Sequence, residues 1–185
     1  MNKEAKKILL DIAQNGVKAA VNQKPILSLT CDHPELQGKQ GAFVTLKTQG
    51  NLRGCVGRLE SDIPIYQLIY AMAVSSAIDD YRFAYNRIKP SDLKFLEIEI
   101  SLLSALKPIN DPMDFELGKH GVLIRKGSQA GCFLPQVATE TGWSKEEFLS
   151  YCCSGKTQLP PDAWKSGDVE LFVFTVEIIR GKDVV

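Results

Sequence analysis

At 185 residues the chain is long enough for one domain, or one domain with a smaller lobe, to bury a core without a scaffold of disulfides. Hydrophobic residues make up 44% and charged residues 24%, proportions that exclude an intrinsically disordered chain. Lys plus Arg equals Asp plus Glu at 22 each, which excludes an overall positive field that would hold a nucleic-acid backbone, so a nucleic-acid partner is not expected unless a local patch supplies it.

The N-terminal stretch MNKEAKKILLDIAQ alternates charge with apolar residues, so neither a secretory signal nor a membrane span is expected, and the expected location is cytoplasmic. Apolar positions Ala5, Ile8, Leu9, Ile12, Ala19 and Ala20 predict a surface helix from Lys3 to about Val21, broken at Gly16. Pro25 ends it, and CDHPELQGKQ reads as a loop.

GAFVTLKTQGNLRGCVG reads as a hairpin around Gln49-Gly50-Asn51, with Arg53 and Cys55 on one face and Leu52, Gly54 and Val56 on the other. A helix is predicted next, capped by Ser61 or Asp62, with Pro64 in its first turn and its end near Ile78. Its positive N-terminal end is expected to help hold an anion or thiolate near Cys55 if the chain folds back.

FLEIEISLLS alternates into a half-buried strand, with Leu96, Ile98, Ile100 and Leu102 inward and Glu97, Glu99 and Ser101 outward. GVLIRKG and AGCFL predict two shorter strands turning near Ser128-Gln129, and Pro135 starts a helix through Thr141. Ser144 and Glu147 form the S-x-x-E capping box of another short helix. VELFVFTVEII reads as one central strand near the C-terminus. Helices and hairpins intermix without regular alternation, which predicts an α+β fold on a largely antiparallel sheet.

The five cysteines, Cys31, Cys55, Cys132, Cys152 and Cys153, cannot all pair, and no C-x-x-C spacing suggests a zinc site, so reduced thiols are expected. With two histidines a three-histidine metal site is excluded within one chain, and neither a resident metal nor another cofactor is expected. Cys55 is the candidate nucleophile: Arg53 lies about 7 Å along the strand, the flanking glycines leave room, and a helix start follows. The alternative is a small thiol packed at a tight strand end.

His120, between glycines in GKHGV, is the candidate base, against an ordinary surface histidine; His33 is structural. Glu97 and Glu99 could serve as acid or base but also suit any solvent-facing strand. Cys152 and Cys153 fall on an apolar helical pattern and receive no redox role.

Taken in order, GAFVTLKTQGNLRGCVG, DYRF, IEISLLS, KHGV and LPQVATETGW resemble the AMMECR domain family, with LRGC-x-G the most specific part. The resemblance runs from about Lys3 to Arg180, so the chain is read as a single domain over residues 1–185 that can divide into lobes. It implies an α+β fold with a larger and a smaller lobe, and a cleft near the motif. It also implies family positions at Leu52, Arg53, Gly54, Cys55 and Gly57, at Asp80, Arg82 and Phe83, at His120 and Gly121, and at Leu134, Pro135, Gln136 and Val137. Tyr81 stands where family members often carry proline. Some members are similar to component A of the AmmeMemoRadiSam system, which implies a Memo-like protein and a radical SAM protein as partners.

Two functions follow as expectations. One is a thiol-dependent enzyme acting on a small anionic or carbonyl substrate, with Cys55 as nucleophile, His120 as base and Glu99 as orienting carboxylate; Arg53, Gly54, Gly57, Arg82 and Gln136 are its candidate binding residues. The other is a non-catalytic adaptor for a protein partner, with Cys55 as a packing residue.

Overall fold

The structure is a computed structural model that describes residues 1–25 and 29–183. The chain divides into two compact units, one of Met1–Leu103 with Glu177–Val185 and one of Ser104–Val176. Each is built on a four-stranded sheet. The class is α+β, as the intermixed helices and hairpins require.

In the first unit, helix α1 (Lys3–Val21) is capped by Asn2, whose side chain accepts from the Ala5 N–H at 2.8 Å. The helix does not break at Gly16. A side chain there would come within 3.2 Å of the Tyr70 carbonyl oxygen, so the glycine serves a close helix crossing, not a stop. Strands β1 (Ala42–Thr48) and β2 (Asn51–Arg58) form the expected hairpin. Its turn residues Gln49 and Gly50 have φ of 51° and 76°, the left-handed pair that matches the twist of a two-residue hairpin.

Helix α2 (Ile65–Ile78) begins at Pro64, not at Ser61 or Asp62. The Ser61 hydroxyl instead closes a local bend with Ile63. α2 is buried on almost every side, through Ile65, Leu68, Ile69, Met72, Ala73 and Ser76. Strand β3 (Leu96–Leu103) pairs with β1, and Ile98, Ile100 and Leu102 oppose Leu46, Val44 and Ala42 over the core as the alternation predicts, but Ser101, expected outward, is buried as well.

The second unit contains a strand that the sequence pattern does not reveal, β4 (Lys107–Ile109), followed by β5 (Gly121–Lys126) and β6 (Gln129–Phe133). Helices α3 (Pro135–Thr141) and α4 (Lys145–Cys152) follow, and α4 carries the predicted capping box, with both Ser144 and Glu147 bonds in place. Phe148, packed on Phe115 and Phe133 at ring-centroid distances of 6.0 and 5.3 Å, centres this unit's core with Leu149, Cys152 and Trp164.

The C-terminal apolar run is two strands, not one. It breaks at Thr175 into β7 (Glu170–Phe174) and β8 (Val176–Arg180), and the halves enter different sheets, in orders β4-β7-β5-β6 and β2-β1-β3-β8. Ser104 and Thr175 exchange hydrogen bonds at 3.0 Å, which joins the two ends of the second unit.

Candidate functional site: the Cys55 strand

A bulge decides where the Cys55 thiol lies. Near the turn Thr48 opposes Asn51 and Lys47 opposes Leu52, but Leu46 then opposes Gly54, so Arg53 is an extra residue without a partner. A regular register would have set Cys55 opposite Val44, whose side chain is in the core. The bulge sets it opposite Thr45 instead, on the face of the sheet that α1 and α2 leave uncovered.

The same bulge separates Arg53 from Cys55, which were expected to share a face. The Arg53 guanidinium donates to Thr48 Oγ1 at 2.7 Å, to the carbonyls of Asn86 and Arg87, and to Asp92 Oδ2 at 3.3 Å. It fastens the segment after α2 to the hairpin. Leu52 takes the outer face that Arg53 was expected to occupy, and it is 40% exposed.

The glycines follow from close packing. A methyl on Gly54 would run into the Ser76 carbonyl oxygen of α2, and one on Gly57 into the ring of Phe43. The Ser76 hydroxyl bridges the strands, accepting from the Val56 N–H at 2.9 Å and donating to the Val44 carbonyl at 2.8 Å. Gly54 and Val56 therefore meet the C-terminal part of α2. The expectation that its positive N-terminus approaches Cys55 gives way, and any helix-dipole effect of α2 on this strand has the opposite sign.

Asp80 and Arg82 grip the Cys55 backbone from both sides. Asp80 Oδ2 accepts the Cys55 N–H at 2.9 Å, Arg82 Nη2 donates to the Cys55 carbonyl at 3.0 Å, and the two side chains pair in a fork at 2.7 and 2.9 Å. β2 is an edge strand, so these are the groups an edge leaves open, and the pair closes them. Asp80 is nearly buried, and the Arg82 guanidinium beside it holds its carboxyl below the usual carboxylate range, against the opposing effect of burial. Asp80 Oδ1 also accepts the Arg82 N–H at 3.2 Å, which holds Arg82 in place behind Tyr81.

The Cys55 sulfur is half-buried and accepts a hydrogen bond from Thr45 Oγ1 at 3.2 Å. Glu99 faces Thr45 from the other side, which makes a row of Cys55, Thr45 and Glu99 across three strands. Two interstrand spacings put Cys55 and Glu99 roughly 10 Å apart along that row. Glu99 Oε2 is held by Arg180 Nε at 2.6 Å. Beside this pair lies a cleft of about 360 Å³ lined by Lys47, Glu97, Glu99, Arg180 and Lys182.

His120 belongs to the second unit, where its Nδ1 accepts from the Glu116 backbone N–H at 3.1 Å and the His120 backbone N–H donates to the Glu116 carbonyl at 2.9 Å. Gln136, in the first turn of α3, is in the same unit, and its side-chain oxygen is buried without a hydrogen-bond partner among the described residues. Among the described residues no group of three His, Cys, Asp or Glu could hold a metal ion, and no helix is long and apolar enough to cross a membrane.

Thr45, Ser76 and Arg180 were not singled out from the sequence. Thr45 becomes visible only through the bulge, Ser76 only through the close approach at Gly54, and Arg180 only once β8 separates from β7.

The AMMECR1 family pattern matches residues 10–179, and the chain belongs to that family. It is 35% identical to Protein MK0488 of Methanopyrus kandleri, over 97% of this chain and 86% of that one, and 38% identical to Protein TK0174 of Thermococcus kodakarensis, over 93% and 88%. The crystal structure of the uncharacterized protein PH0010 from Pyrococcus horikoshii superposes with a TM-score of 0.86 at 33% identity, covering 96% of this chain and 92% of that one.

Proposed function

We propose that the protein is a thiol-dependent enzyme in which Cys55 adds to a small carbonyl compound that carries an anionic group. The bulge at Arg53 carries this reading. It interrupts a strand pairing to turn one small apolar-compatible side chain out of the core and onto the outer face beside Thr45. Bulges that re-aim a side chain next to a site are a recurrent use of that irregularity. A cysteine wanted only for packing would gain more from the core face that a regular register offers it.

The remaining parts support the chemistry. Asp80 and Arg82 fix the Cys55 backbone, so the sulfur approaches a substrate without an ordering cost. The sulfur, as thiolate, attacks the carbonyl carbon; a C–S bond forms, the C=O π pair moves to oxygen, and a proton taken up there leaves a hemithioacetal. Lys47, Arg180 and Lys182 line the cleft on the Glu99 side and suit an anionic substituent roughly 10 Å from the thiol. Glu99, tied to Arg180, shapes that end and does not reach the sulfur itself.

The test is ¹³C NMR of suberate semialdehyde, labelled at its aldehyde carbon and long enough to set its carboxylate roughly 10 Å from the sulfur, mixed with the folded protein. A hemithioacetal carbon resonance is expected with the natural chain and lost in Cys55→Ser. A signal that persists in Cys55→Ser, or no signal with either, overturns the proposal.

A further inference from the structure

Arg53 and Arg82 are expected from the sequence as binding residues, yet the proposed thiol chemistry uses neither guanidinium on a substrate. Both hold down the segment that links α2 to β3, whose beginning lies against β2 and whose last part, Pro90–Phe95, lies against β1 and α1. Arg82 fastens its beginning to Cys55, and Arg53 fastens its middle through Asn86, Arg87 and Asp92. The result is a pinned strip from Tyr81 to Phe95 on which large rings stand in solvent: Tyr81 is 84% exposed, Tyr85 fully exposed and Phe95 45% exposed.

Cations interleave with these rings. Arg87, Lys89 and Lys94 are all exposed, and the Lys94 ammonium sits 4.9 Å from the Phe95 ring centroid. Asp92 inside the strip is engaged by Arg53 and the adjoining Asp80 by Arg82, while Asp79 before the strip and Glu97 after it are exposed. Inside the strip Arg87, Lys89 and Lys94 stand as local positive charge on a chain whose total is zero.

We propose that the strip Tyr81–Phe95 binds single-stranded nucleic acid, its rings stacking bases and its three cations meeting phosphates. Every base has a face to stack, so tyrosines and a phenylalanine separated by cations suit an unpaired strand without sequence preference. The zero net charge excludes long-range attraction, not a local strip of this kind, and it sets the expected behaviour: modest affinity that salt abolishes. The interaction is independent of Cys55.

The experiment is fluorescence anisotropy of labelled oligo-dT and oligo-U of ~15 nucleotides. Binding is expected at about 50 mM salt, with log K falling against log salt at a slope near −2, as three phosphate contacts to a single strand require. The double variants Tyr81→Ala/Tyr85→Ala and Lys89→Glu/Lys94→Glu are each expected to weaken it by at least about fivefold, and polyglutamate is not expected to displace the strand. Both variants alter exposed positions, and circular dichroism confirms that they are folded. Absence of binding at low salt, binding unchanged in both variants, or equal displacement by polyglutamate, which would mark an acidic-protein docking surface instead, each overturns the proposal.

Discussion

Asp80 is the residue on which the position of Cys55 turns. It accepts one backbone donor of an edge strand and pairs with the guanidinium that takes the neighbouring acceptor. Removing its carboxylate leaves the Cys55 N–H without its acceptor, and hydrogen bonds to a charged group contribute about 2 kcal/mol. Asp80→Ala is therefore expected to lower stability by about that amount at neutral pH, measured by urea unfolding. Because Arg82 depresses the carboxyl in the folded state, the contribution is complete above the unfolded value near 4 and is lost as pH falls through the lower folded value. The natural chain is expected to lose stability below about pH 4, and Asp80→Ala to lose less over the same range.

At the scale of elements, the bulge and the α2 crossing do the placing. Gly54→Ala forces the strand away from Ser76 and is expected to cost about 2–3 kcal/mol in urea unfolding. Gly38→Ala, where an added methyl meets nothing within 4 Å, is expected to stay within about 0.5 kcal/mol of the natural chain. This contrast marks what was legible in the sequence. The span of α1, the hairpin, the inward face of β3 and the α4 capping box follow from local periodicity and capping chemistry, whereas the break expected at Gly16 and an outward Ser101 do not appear. The bulge was not legible, because alternation along a strand says nothing of an unpaired residue. The approach of α2 by its C-terminal part depends on the crossing at Gly54, a tertiary contact. The split of VELFVFTVEII at Thr175 escaped because both halves are equally β-branched and apolar.

At the scale of the whole molecule, each unit has its own sheet and its own core, so the five thiols meet different surroundings. In the second unit Cys152 and Cys153 are fully buried, and desolvation pushes both thiols up. They remain protonated and inert at neutral pH. Cys55 in the first unit is half-buried with its backbone gripped and its sulfur on the helix-free face. Mass spectrometry of the folded protein during iodoacetamide treatment, peptide by peptide, separates these cases. Cys55 is expected to be alkylated at least about tenfold faster than the half-buried Cys31 and Cys132, with Cys152 and Cys153 unmodified. If Cys55 instead stays unmodified until the chain unfolds, the bulge presents no reactive thiol and the enzyme reading is wrong.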